Sequence, residues 1–153
     1  MALISISTIV AAEQPTPAPV EGPPAAWLSP AGKSEAWRTD TGRCRELLGK
    51  LDLQNALVQK HLPNVKEKVQ ILLRSPDFDW RRKTAVEFLE NMLEDLAAGR
   101  EPLLRYAGKG FGYPYWSNTL RRIEATWVHV PPTYDPGKSY QLFIYYKCGG
   151  GIH

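Results

Sequence analysis

The run Trp127-Val-His-Val-Pro-Pro-Thr-Tyr-Asp-Pro-Gly-Lys-Ser-Tyr-Gln-Leu-Phe-Ile-Tyr-Tyr-Lys-Cys-Gly-Gly-Gly-Ile-His153 decides the fold. Its first residues complete an alternating stretch, Ile123 to Val130, in which apolar and polar side chains exchange at period two, the mark of a half-buried strand. Pro131 and Pro132 end that strand because neither offers an amide for a ladder. Tyr134 to Lys138 reads as a turn, with Pro136 presetting φ and Gly137 tolerating a positive one. Gln141 to Tyr146 is aromatic and β-branched without alternation, which predicts a strand covered on both faces.

Upstream, Gly108, Gly110 and Gly112 interleave with Tyr106, Phe111, Tyr113, Tyr115 and Trp116, so period two begins just after Leu104. Before that the period is helical. Cys44, Leu47, Leu48, Leu51, Leu57, Val58 and Leu62 recur on one apolar stripe, weakened in the middle by Gly49 and Asp52, which Pro63 is expected to close. Asn64 then stands as the cap of a second, short helix through Val65, Val69, Leu72 and Leu73, ended at Ser75-Pro76. The best-defined helix starts at Asp77 or Asp79, buries Ala85, Phe88, Leu89, Met92, Leu93 and Leu96, and stops at Gly99 in a left-handed cap. Its charges oppose the macrodipole at a cost of a few tenths of a kcal/mol each. Burial of the apolar stripe, at roughly 1.5 to 3 kcal/mol per large side chain, overrides that.

Six of the 13 prolines lie between Pro15 and Pro30. Residues 13–40 therefore read as a Pro/Ala-rich linker, with Trp27 and Trp37 placed to pin it onto the folded part. Residues 1–12 form an apolar run ending in small residues, a possible signal segment that lacks a basic start and implies a periplasmic or secreted protein. The organisation expected is a signal segment at 1–12, a linker at 13–40, a helical region at 41–100 and a β-rich region at 105–153. The fold class is α+β, helices first and strands after.

Composition removes several classes of function. Nineteen basic against 16 acidic residues give +3, too weak a field for a nucleic-acid partner. Arg81-Arg82-Lys83 and Arg121-Arg122 read as solvated faces. No run reaches the length of a membrane span. His61, His129 and His153 are scattered and the two cysteines have no zinc spacing, so no metal and no cofactor is expected. Cys148 sits beside Lys147, a cation that favours thiolate, but no histidine is ordered against it, and it reads as filler.

Over residues 118–151 the chain resembles the esterase and prolyl-oligopeptidase-like branch of the α/β-hydrolases. The matching residues are Val130-Pro131, Tyr134-Asp135-Pro136-Gly137-Lys138, Tyr140-Gln141-Leu142 and Gly149-Gly150-Gly151, with Lys147-Cys148 standing where that family carries His-Gly. The resemblance implies the first strands of an incomplete α/β-hydrolase sheet, an ester or peptide substrate, and an oxyanion hole to which Gly149, Gly150 and Gly151 lend backbone amides. Glycine suits that task because a bare Cα lets preorganised amides approach the substrate carbonyl. No catalytic nucleophile, acid or base is expected in this chain, since none of its seven serines lies in a Gly-x-Ser-x-Gly elbow. An exported serine hydrolase fragment, inactive alone, is the leading expectation. The competing one is a small exported binding module, three helices on an antiparallel pair, presenting Tyr106, Phe111, Tyr113, Tyr115, Trp116 and Trp127 to carbohydrate or protein.

Overall fold

The computed structural model describes residues 21–29, 34–75 and 79–140. Within them the chain is α+β. Four helices, α1 (Glu35–Asp40), α2 (Gly42–Leu48), α3 (Ala56–Arg74) and α4 (Trp80–Ala97), precede an antiparallel hairpin of β1 (Gly110–Ser117) and β2 (Arg122–His129). The segment expected as a signal, 1–12, and the one expected as a strand, 141–146, lie outside the described residues.

The expected linker extends into the core. Trp27 and Leu28 follow a 3-10 turn, Pro24–Ala26, and are buried with Trp37 of α1. The Trp27 indole N–H donates to the Gly22 carbonyl at 2.9 Å, and the Ser34 hydroxyl accepts from the Trp37 amide at 3.2 Å, capping α1. The linker boundary at residue 40 is thus corrected: Glu35–Asp40 is helical, and Trp37 anchors it to the core that Trp27 also enters.

Pro63 does not break its helix. α3 runs 19 residues through it. The cap is Asn55, whose side-chain oxygen accepts from Leu57 and Val58, while Asn64 instead accepts from the Tyr113 hydroxyl at 3.1 Å. An interior proline costs a helix about 3 kcal/mol. Val58 before it and Val65, Val69, Ile71 and Leu72 after it are all buried on the same core, and that joint burial outweighs the lost hydrogen bond.

α4 is the centre of the molecule, packing against α2, α3 and both strands. Asp79 caps it, accepting from the amides of Arg81 and Arg82, and Gly99 leaves it at φ +69°. The acidic end that opposes the dipole is put to use: Asp95, 3% exposed, accepts from Arg100 at 2.7 Å and from Arg105 at 2.6 Å. Those two arginines turn the chain from α4 into a 3-10 turn, Pro102–Tyr106, and on to β1. Among the described residues no helix is long and apolar enough to cross a membrane.

Candidate functional site

Gly149, Gly150, Gly151 and Cys148 lie outside the described residues. What the structure does describe is the approach to them. β2 is followed by Val130, buried and bridged to Ala107, and then by Pro131. The Tyr134 amide donates to the Pro131 carbonyl at 3.0 Å. Asp135 then closes an Asx turn by accepting from the Gly137 amide at 2.9 Å, as the Lys138 amide donates to the Asp135 carbonyl at 3.0 Å. The Tyr140 hydroxyl accepts from the Asp135 amide at 2.7 Å and donates to the Thr133 carbonyl at 3.3 Å, so the chain at Tyr140 is tied back to the foot of the turn.

A charged cluster stands close to that turn. Glu101 is buried, and one of its oxygens accepts from the exposed Lys60 ammonium at 2.9 Å. The other lies 2.9 Å from the His61 imidazole Nε2, at ion-pair distance but without the alignment of a hydrogen bond. Burial pushes the Glu101 carboxyl up, but Lys60 and His61 together outweigh burial and hold it below the usual range. Burial pushes the Tyr134 phenol up, and the Glu101 charge adds to the effect, so Tyr134 stays neutral in this setting. Sequence reasoning missed Glu101 and Lys60, because a charge made internal by a single tertiary partner leaves no periodic trace.

The aromatic platform divides. Phe88, Tyr106 and Phe111 stack within 6.5 Å of one another and Tyr113 meets Phe88 edge-on at 5.3 Å, so Tyr106, Phe111 and Tyr113 face inward as core. Trp116 is half-buried, with the Arg74 guanidinium 5.8 Å from its ring. Only Tyr115 and Trp127 of the six are exposed, Trp127 by 75%. The Trp127 indole lies across Gly110: a Cβ there would meet its Nε1 at 2.4 Å. The glycine gives the ring a flat seat on the strand.

The basic pairs also separate. Arg82, expected on a solvated face, is 1% exposed; it donates to Asp40 at 2.7 Å and to the Leu72 carbonyl at 3.0 Å, closing the end of α3. Arg81 and Arg122 both donate to Glu124, which fastens the hairpin to the start of α4. His129 is exposed, and among the described residues no group of three or more His, Cys, Asp or Glu is placed to hold a metal ion. Comparison with protein-family models, with curated proteins and with solved structures finds no match for this chain.

Proposed function

We propose that this chain is the N-terminal part of an exported serine hydrolase of the α/β-hydrolase type, acting on ester or peptide bonds, with Gly149, Gly150 and Gly151 as its oxyanion-binding backbone. One observation supports the reading: in the resembling segment, as far as Tyr140, a strand is stopped at Pro131 and followed by a turn at 134–138, the order of elements the resemblance implies. The helical region serves as the base on which this first hairpin is laid. The amides of the glycine triplet would stabilise the developing oxyanion, and the serine, acid and base would have to come from outside these residues, since no Gly-x-Ser-x-Gly is present.

The test has two arms. The chain alone should neither hydrolyse an activated ester nor take a serine-directed fluorophosphonate. The DNA beyond the codon for His153 should hold a continuing or adjacent frame with a Gly-x-Ser-x-Gly elbow. Fluorophosphonate labelling of this chain, or downstream DNA with no such elbow, would overturn the reading. A second reading, a carbohydrate-binding module, is favoured by the exposed, flatly seated Trp127. It requires that soluble oligosaccharides bind and that Trp127→Ala abolish binding with the helices intact.

A further inference from the structure

Glu101 stands immediately before the 3-10 turn Pro102–Tyr106 that leads into β1, and its buried carboxylate meets α3 through both oxygens. On the wet side the exposed Lys60 holds one oxygen at 2.9 Å, a bond that solvent screens. On the dry side the His61 Nε2 lies 2.9 Å from the other, and both of those atoms are shielded from water. This second contact has ion-pair distance without hydrogen-bond alignment, so its strength follows the charge on the imidazole. Neutral His61 leaves the Glu101 charge countered from the solvent side alone. Protonated His61 completes the pair inside, where screening is weakest.

We infer that His61 and Glu101 form a pH-sensitive clasp, closed when the imidazole is charged, that fastens the turn before β1 to α3. The other groups around the pair leave the middle of the pH range to histidine. From α3 comes Lys60, pushed up by its bond to Glu101, and from the segment after β2 comes Tyr134, pushed up by burial. Tyr106 of the 3-10 turn lines a cavity together with His61 and is pushed up by burial as well, while the Tyr113 hydroxyl of β1 donates to Asn64. α4 brings Phe88 and Met92 to the same cavity, and its Asp95 is held by Arg100 and Arg105. Glu101 itself is held below the usual range. Between about pH 5 and 8 the imidazole is thus the member that changes charge. The contribution of the pair is present below the ordinary histidine midpoint, about pH 6.5, and is lost as the pH rises and the imidazole gives up its proton. The Lys60 bond persists throughout. The clasp stands whether or not the glycine triplet serves an oxyanion.

Two amides report on the clasp, because Leu104 donates to the Glu101 carbonyl at 3.1 Å and Ala107 to the Leu104 carbonyl at 3.2 Å. In the full chain their protection against hydrogen exchange, corrected for intrinsic rates, should be about fivefold higher at about pH 5.5 than at about pH 8. Protection in the middle of α4 should not follow. His129→Gln removes the other described histidine, exposed on β2, and should leave that ratio unchanged. A cycle of His61→Gln, Glu101→Gln and the double variant should give a coupling of about fivefold at the acid pH and none at the alkaline one. A packing contact would couple equally at both. Where a variant does not fold, the ratio in the unaltered chain decides. A ratio near one, a coupling that does not change with pH, or loss of the response in His129→Gln would each overturn the clasp.

Discussion

In the helical half several charges go inward, whereas in the hairpin one of the two tryptophans goes outward. Arg82 is 1% exposed and reaches Asp40 and the end of α3, Lys68 is fully buried with its ammonium 3.9 Å from the centre of the Tyr113 ring, and Asp95 gathers two arginines. Trp127 on β2 is 75% exposed and rests on a glycine. The helices are held by directional contacts that tolerate little displacement. Among the described residues the two strands pair only with each other, and they hold to α4 through the ring stack on Phe88 and the Arg81 to Glu124 link. Damage to the first kind of contact should unfold the molecule, and damage to the second should loosen the hairpin alone.

The largest effect is expected at Arg82. Arg82→Ala leaves the Asp40 carboxylate and the Leu72 carbonyl without this donor and empties a fully buried volume, a change that costs about 3 to 5 kcal/mol. Urea denaturation followed by far-UV circular dichroism should show a loss of that size in helices and strands together. Arg82→Lys should recover little, because one ammonium cannot serve both a side chain from α1 and a carbonyl of α3. A loss below about 1 kcal/mol would mean that the inward charges do not carry the helical half.

Pro63 gives a change of opposite sign. Pro63→Ala restores an amide within α3 and removes the clash with the preceding turn, and should stabilise the protein by about 1 to 2 kcal/mol after allowing for the freer unfolded chain. Amide exchange should slow along α3 and remain unchanged at β1 and β2. Slowing at the strands as well would erase the proposed boundary between the halves.

The hairpin is addressed through its glycine seat. Gly110→Ala places a methyl where the Trp127 indole now lies, and the exposed ring swings away at a cost of about 0.5 to 1 kcal/mol. On a Trp127→Ala background the same change should be neutral or better, since alanine suits a strand more than glycine does. The double-mutant cycle measures how far the indole fastens the strands. Absence of coupling would make Trp127 a passenger on β2, free for a partner but idle in folding.

Much of this division was legible in the chain and the rest was not, for reasons that differ by residue. The stripe from Ala85 to Leu96, the positive φ at Gly99 and the strand ending near Pro131 are local, so periodicity and turn chemistry show them. The passage of α3 through Pro63 was hidden because the burial that offsets the proline comes from α4 and β1. Arg82 looked solvated because it sits between Arg81 and Lys83, and nothing adjacent announces Asp40, some forty positions earlier. The aromatic run after Leu104 was recognised as a group but not as two faces, since Phe88, on another element, selects which rings turn inward. For the expected site, the turn at 134–138 was readable from Asp135, Pro136 and Gly137, while the Glu101 cluster depends on Lys60 and His61 arriving from α3.

The smallest effects are the pH responses of two glutamates on either side of the division, and their signs are opposite. Glu101, at the passage from α4 to the hairpin, has its carboxyl held below the usual range, so the unfolded chain binds its proton more readily. Its contribution to stability is present above about pH 4.3 and is lost as the pH falls through the lower, folded value. Glu90, on α4, is pushed up, by burial first and then by the charge of Glu94 one turn away. Its penalty is absent below about pH 4.3 and is acquired as the pH rises through its higher, folded value. Glu90→Gln should therefore stabilise by about 0.2 to 0.5 kcal/mol at neutral pH and by nothing in acid. Glu101→Gln should destabilise at neutral pH, with the difference fading as the pH drops. Chemical denaturation of both variants between pH 3 and 7, with amide exchange to locate the change, should place the Glu90 effect in α4 and its contacts with α2 and the Glu101 effect at the 3-10 turn leading into β1. Curves of the same sign would mean that burial, and not pairing, governs the carboxylate at the junction, and the two halves would then meet across an uncompensated charge.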